Sequence, residues 1–341
     1  MKLTHVFAFI TAIPLGLAAD KRDNKYFHEP GGGQHLGHYD SRYFREQIAY
    51  EEHRHLLRHL VRSYLATLDE IGAETWIAHG TLLGWWWNGQ IMPWDYDLDV
   101  QMSTDTLRFL GSKFNRTEHV YNYIDDKGAP QKKTYLLDIN PHHVDIDRGD
   151  GQNIIDARWI DMENGMFVDI TGLMERDPNN KPGIWSCKNH HKYKTTDLFP
   201  MRVTEFEGVK AIVPYNFEKI LIDEYGSKAM ASTSWLGHEW NPENKQWAKT
   251  EAEIKKEQDD AKKKKEEEAK KKADEEKKKA DEAKKKADEE KAKKAEEEEK
   301  KKKAEEAKKS EEEAARREAE EADAEKERAS ENDQASEHAE A

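Results

Sequence analysis

Apolar side chains recur at helical spacing across residues 46–71: Leu56, Leu57, Leu60, Val61, Tyr64, Leu65 and Leu68 fall on one stripe. The pattern predicts an amphipathic helix packed on a core, with Gly72 as its stop. His53, His55 and His59 lie in this stretch and read as surface histidines. Residues 75–78 predict a short strand that runs into a small-residue turn, His79-Gly80-Thr81, and residues 82–87 predict a short helix. Asp95, Asp97 and Asp99 then alternate within an apolar run of Ile91, Met92, Trp94, Leu98 and Val100, the period of a strand. Ser103 offers an N-cap for a helix carrying Leu107, Phe109, Leu110 and Phe114. Residues 118–170 read as short strands and loops, followed by a hairpin pattern, VTEFEGVKAIV, around Glu207-Gly208. Asn216 is placed to cap a helix carrying Phe217, Ile220, Leu221 and Tyr225, which Gly226 stops.

Charge changes the picture at the end of the chain. Residues 251–341 hold 28 basic and 35 acidic side chains, half of the 56 and 70 in the whole protein. The first 250 residues therefore carry the charged fraction of about a quarter that is usual for globular domains, and they are long enough to bury a full core. The tail repeats a heptad, KKKADEE, KKKADEA, KKKADEE, over residues 270–290, with Ala as its only apolar residue. A coiled-coil seam needs larger side chains, so the tail reads as a lone solvated helix with i,i+4 ion pairs or as a partly disordered segment. Its mixed signs argue against a nucleic-acid arm. Residues 1–19, MKLTHVFAFITAIPLGLAA, have a signal-peptide pattern, with a signal-anchor as the alternative; only an uncleaved anchor would put the protein on a membrane. Lys21-Arg22 reads either as a dibasic processing site or as two surface charges. Cys187 is the single cysteine, which excludes an intrachain disulfide and a CxxC zinc site and leaves a packed thiol as the plain reading. The organisation is then a leader at 1–19, an irregular Gly-, His- and Tyr-rich arm at 20–45, a domain at 46–248 and a low-complexity tail at 249–341.

The alternating aspartates carry the candidate chemistry. On a strand, Asp95, Asp97 and Asp99 share a face and repel one another, so a proton or a cation must join them. Oxygen-only ligands select a hard ion, Mg²⁺ or Mn²⁺, which commonly sits beside a phosphate. The Gly80-Thr81 turn could offer backbone amides to that phosphate. A solvated acidic face is the plain alternative, and the apolar surroundings weigh against it. Trp85, Trp86 and Trp87 cannot all face one way on a helix; at least one packs in the core, and another could stack on a base or a sugar. His142 and His143 beside Asp145 and Asp147 read as a second metal cluster or as an ordinary loop. Arg158 reads either as a phosphate grip or as an ion-pair partner of Asp156 or Asp161.

The stretch HGTLLGWWWNGQIMPWDYDLDV resembles the LicD/fukutin-related phosphotransferase family. MFVDIT at 166–171 is similar to its third-acid strand, and LFPMRVTEFEGVKAIVP and LIDEYG to its later segments, so the resemblance spans roughly residues 40–230. The Lys/Glu-rich tail is similar to tails of the fungal mannosylphosphate-transfer branch. The resemblance implies an α+β fold with a nucleotidyltransferase-like mixed sheet flanked by helices. It implies metal-dependent transfer of a phospho-sugar, mannose-1-phosphate from GDP-mannose being the particular expectation, onto a glycan hydroxyl in cell-wall or glycoprotein mannan. Asp97 and Asp99 are expected to bind Mg²⁺ or Mn²⁺, Asp95 to assist as a further ligand, and Asp169 to complete the metal site or act as general base. His79, Gly80, Thr81, Gly84, Trp85 and Arg158 are expected to bind substrate. The implied partners are a nucleotide-activated donor and a glycan acceptor. The alternative is a non-catalytic regulator or glycan-binding partner of a separate transferase.

The expected setting is the secretory pathway, in the Golgi lumen or outside the cell, where Asn115-Arg116-Thr117 would be an N-glycosylation acceptor. Expressed in its own host, the protein should lose mass on endoglycosidase treatment, and Asn115→Gln should remove that shift.

Overall fold

A computed structural model describes residues 24–125 and 128–337 of the chain. The leader expected at 1–19 and the Lys21-Arg22 pair lie outside the described residues. The elements run α1 (Gly33–Leu36), α2 (Tyr50–Ile71), β1 (Trp76–Ile77), α3 (His79–Asn88), β2 (Asp99–Ser103), α4 (Thr104–Lys113), β3 (Thr117–Ile124), β4 (Pro130–Ile139), β5 (Ala157–Asp161) and β6 (Phe167–Glu175). They continue with β7 (Ile184–Ser186), β8 (Lys192–Lys194), α5 (Thr195–Leu198), β9 (Arg202–Phe206), β10 (Val209–Val213), α6 (Phe217–Tyr225), β11 (Ser234–Trp235), β12 (His238–Asn241), β13 (Gln246–Lys249) and α7 (Glu251–Glu337). The class is α+β, as the resemblance implies.

The main sheet has eight strands, ordered β1-β2-β6-β5-β4-β3, with β7 and β8 extending from β6. It is mixed: β2 and β6 run parallel while the other pairs are antiparallel. Helix α2 lays its apolar stripe on this sheet, and Leu57, Leu60, Val61, Tyr64 and Leu68 are all buried. Each such side chain contributes roughly 1.5–3 kcal/mol on burial, far more than helix propensity does. Gly72 ends the helix in the left-handed region, at φ 75°. His53 and His59 correct the sequence reading, since both are buried rather than on the surface. His53 packs on Tyr96 and His59 stacks on Tyr123, at ring separations of 4.3 and 3.8 Å. Burial lowers the His53 imidazole to about 4.

The β9–β10 hairpin turns through Glu207 and Gly208, both at positive φ, as a tight two-residue turn requires. Glu207 then does more than turn the chain. Its carboxylate accepts from the Ile91 amide at 2.7 Å and from Arg58 Nε at 3.0 Å. The hairpin thereby ties α2 to the segment that leads into the acidic run. Asn216 precedes α6 but does not cap it with its side chain, which donates to Asp197 instead.

The arm at 24–45 is irregular in backbone yet packed, because Phe27, Tyr39 and Asp40 are buried. Buried charges are paired: Lys133 with Asp161 and Lys188 with Asp156, both at 2.7 Å. His142 and His143 do not converge into a second metal site. His142 pairs with exposed Asp145, and His143 turns to the Asn140 carbonyl. Among the described residues no helix is long and apolar enough to cross a membrane.

The chain separates into two compact units, Met1–Glu253 and Ile254–Ala341. In the second, α7 is exposed along its described length and carries i,i+4 pairs such as Lys300–Glu296 and Arg316–Glu320. Pairs of this kind contribute only about 0.3–0.5 kcal/mol each. Truncation after Glu253 should therefore leave the core's melting temperature within about 2 °C of the full chain, a change worth less than about 1 kcal/mol. Calorimetry of both forms measures this, and a larger loss would mean that the tail stabilises the core.

Candidate active site

Strand β2 and strand β6 pair in parallel with Asp99 directly across from Asp169. The backbone of Asp99 is held from both directions. Its amide donates to Thr81 Oγ1 at 2.9 Å, and its carbonyl accepts from the Ala78 amide at 3.0 Å. The Asp169 amide donates to the Leu98 carbonyl at 2.9 Å. Asp95 and Asp97 precede the strand rather than lying within it, so only Asp99 of the three is on the strand that the sequence predicts. Asp95, Asp97 and Asp99 nevertheless all line one cavity of about 840 Å³, a size typical of small-molecule sites.

Helix α3 starts at this cavity. Its first residue, His79, has φ 52°, and Gly80 lines the cavity wall. A Cβ on Gly80 would stand 2.9 Å from Asp95 Oδ2, so only glycine lets that carboxylate sit over the helix start. The first amides of a helix have no intrahelical partners and favour anions.

The carboxylates are crowded and half-buried. Burial, then the hydrogen bond and charge of Asp97, push Asp95 well above the usual carboxylate range. Burial and the charge of Asp97 push Asp99 up to about 8, with His79 opposing. Asp169 is raised by burial against the pull of Arg158. Among the described residues none of Asp95, Asp97 and Asp99 forms an ion pair with Lys or Arg. The charge of Asp97 beside half-buried Asp95 favours a proton or a cation at this end of the cavity.

A second cluster adjoins this one. His79 Nδ1 lies 2.9 Å from Glu224 Oε2, and Tyr193 donates to Glu224 Oε1 at 2.8 Å. The His191 ring lies 4.2 Å from the His79 ring. Burial works against the charged form of His79, but the Glu224 hydrogen bond and the charges of Asp99, Glu224 and Asp97 hold it above its ordinary value. Burial would raise Glu224, but the His79 hydrogen bond and charge bring it below its ordinary value. Among the described residues, His79, His191 and Glu224 are the group of three whose ligand atoms lie within 4.8 Å of one another.

The expected substrate-binding residues fare unequally. Gly80 lines the cavity. The Thr81 hydroxyl is spent on the Asp99 amide, and His79 is engaged with Glu224. Gly84 is a packing glycine, since a Cβ there would meet the Gln90 carbonyl at 2.4 Å. Trp85 turns away from the cavity, donating to Thr204 and packing on Phe217. Arg158 is 3% exposed, too buried to grip a substrate phosphate. It donates to Asp169 at 2.8 Å and to Glu29 at 2.6 Å, with Phe167 across its face at 3.6 Å. Neither Asp156 nor Asp161 is its partner. Cys187 is a buried thiol, 3.5 Å from His191 Nδ1. Sequence reasoning left open which of Trp85, Trp86 and Trp87 meets a ligand, and it missed Glu224, His191 and Tyr193 as well as the cavity residues Tyr225, Lys228, Trp235 and Trp247. The density of tryptophan at 235–247 was the available signal for the last two.

Residues 72–216, which carry the acidic cavity's aspartates and the main mixed sheet, match the family described as LicD/FKTN/FKRP, nucleotidyltransferase domain. The chain carries a LicD-family domain. Two relatives are from Saccharomyces cerevisiae. Mannosyltransferase regulator 4 is 33% identical over 156 residues, covering 44% of this chain and 13% of that protein. Mannosyltransferase regulator 14 is 35% identical over 117 residues, covering 34% of this chain and 12% of that protein. The match thus spans about an eighth of either relative's length.

The raised carboxyls set a pH dependence. Asp99 ionises near 3.9 in the unfolded chain and near 8 when folded, so the folded state binds the proton more tightly and loses stability as pH rises from about 4 to 8. Raised Asp95 and Asp169 act in the same direction, and raised His79 also loses its contribution as pH rises through its folded value. Lowered Glu224 loses stability only below about 4.5, outside this window. In EDTA, Asp99→Asn should gain melting temperature relative to the unsubstituted protein between pH 5 and pH 8. Parallel curves would show that the carboxyl is not strained.

Proposed function

We propose that the domain transfers a phosphorylated sugar from a nucleotide-activated donor to a glycan hydroxyl, with mannose-1-phosphate from GDP-mannose as the particular reaction. The observation that supports this best is the convergence of Asp95, Asp97 and Asp99 on one cavity, with Asp169 paired to Asp99 across β2 and β6. The printed names of the two yeast relatives support a role in mannosylation. The leader pattern at 1–19 and the Asn115 sequon support a luminal or secreted setting.

The residues fit a divalent cation. Mg²⁺ and Mn²⁺ need only one or two protein carboxylates when waters and substrate phosphates complete the shell. Asp97 and Asp99 would hold the ion, and Asp95 would assist. Once bound, such an ion neutralises donor phosphates and stabilises charge on the leaving group. The chain supplies the remaining chemistry. The acceptor oxygen bonds to the phosphorus that bears the sugar, and the bond from that phosphorus to the nucleoside monophosphate breaks. The acceptor proton passes to Asp169, whose burial keeps it basic enough for the task, while Arg158 fixes its orientation. His79, held by Glu224 and raised above its ordinary value by the surrounding carboxylates, stands beside the acids.

A second reading, regulation of a separate mannosyltransferase, is favoured by the printed names of both relatives. In that reading the α7 tail is the natural contact element. Purified protein given GDP-mannose, Mn²⁺ and mannan decides between the two. Turnover by this protein alone supports transfer, whereas turnover only with an added mannosyltransferase supports regulation.

Substitution tests the site itself. Mn²⁺ at a hundredfold excess over its dissociation constant should stabilise the protein by about 2.7 kcal/mol. Asp97→Asn and Asp99→Asn should each fold, lose that stabilisation and lose turnover, and Asp95→Asn should lose less of both. Asp169→Asn should keep the metal response and lose turnover. Retention of both responses in the Asp97 and Asp99 variants would move the site elsewhere.

A further inference from the structure

One wall of the cavity is made of tryptophan. Trp87 and Trp94 belong to the family-matched stretch, but Trp235 and Trp247 stand on β11 and β13, beyond residue 216 where the match ends. The rings brace one another. Trp87 and Trp94 each meet Trp247 edge-on, at centroid separations of 4.8 and 4.9 Å. Trp240 supports Trp87 and Trp247 from behind, at 5.0 and 5.6 Å. Trp87 is fixed further by its indole N–H, which donates to the Ala229 carbonyl at 3.2 Å. Trp235 stands at the rim, 57% exposed, a large apolar ring left in solvent beside a cavity. Trp247 is 7% exposed, and its indole N–H has no hydrogen-bond partner.

We propose that this wall is a subsite for a pyranose ring, supplied by the β11–β13 sheet. An indole face is electron-rich, and it attracts the polarised C–H face of a sugar. The hydroxyls around that sugar need acceptors, and the carboxylates of Asp95 and Asp97 share the cavity. A nucleobase would also stack on indole, but its edges are read by Asn, Gln or Arg. Among the described residues that line the cavity there is none of these three. The pyranose belongs either to the glycan acceptor or to the sugar of the donor. Only this last assignment rests on the transfer reading; the binding itself does not require turnover.

The test uses the full chain, with Trp235→Leu and Trp235→Phe as variants, since an exposed rim side chain can change without disturbing the core. Calorimetric titration with α-mannotetraose in EDTA reads the acceptor arm. Titration with GDP-mannose and with GDP, both in Mn²⁺, reads the donor arm. Trp235→Leu should weaken a sugar ligand about five- to tenfold, and Trp235→Phe should retain most of the affinity because the aromatic face remains. Loss for mannotetraose assigns the acceptor ring, and loss for GDP-mannose but not for GDP assigns the donor sugar; both support the subsite. Equal affinities in Trp235→Leu and the unsubstituted protein overturn it. So does an equal loss for GDP, which would mean base stacking, and so does absence of saturable binding by either sugar. If sugar binding persists while the protein shows no turnover, the transfer reading alone fails.

Discussion

Holding like charges together is the constraint on which this domain depends. The parallel register of β2 on β6 sets Asp99 across from Asp169, while Asp95 and Asp97 are brought onto the same cavity. Left to themselves, these carboxylates would spread apart or stay in water. They cannot, because the strands that carry them are buried: Val100, Met102, Val168 and Ile170 are all core residues. Hydrophobic burial thus supplies the free energy that keeps an electrostatically strained site in one place.

The surroundings meet that strain group by group. The Thr81 hydroxyl and the Ala78 amide fix the backbone of Asp99. Arg158 balances Asp169 and is itself held by Glu29, from an arm that reads as irregular in the sequence because it lacks a period. His79, raised above its ordinary value by its hydrogen bond to Glu224, adds a basic group beside Asp97 and Asp99. Glu207 sets the start of the acidic run by taking the Ile91 amide. No Lys or Arg pairs with Asp95, Asp97 or Asp99 among the described residues, so their mutual repulsion is left to a proton or a cation.

The cavity has two origins. Its acidic end and the start of α3 come from the family-matched stretch, whereas Trp235 and Trp247 come from the strands that follow it. Chemistry and ligand preference can therefore change separately, since the later sheet reaches the cavity without carrying any of the aspartates.

What local periodicity encodes was legible in the sequence. The stripe of α2, the Glu207-Gly208 turn and the alternation of Asp95, Asp97 and Asp99 each depend on neighbours a few residues apart. The choice of Asp169 as the third acid of the family pattern came from the resemblance, and the β2–β6 register now gives its position. Side-chain destinations were not legible. Trp85 and Trp87 are equivalent in the sequence, yet one packs on Phe217 and the other lines the cavity. Arg158 reads in the sequence as a phosphate grip or a partner of Asp156 or Asp161, and in the fold it is a buried clamp on Asp169. Glu224 reaches His79 across 145 residues, a separation that no local pattern reports. Spacing along a chain determines which side chains share a face, but only the packing of distant elements decides what that face meets.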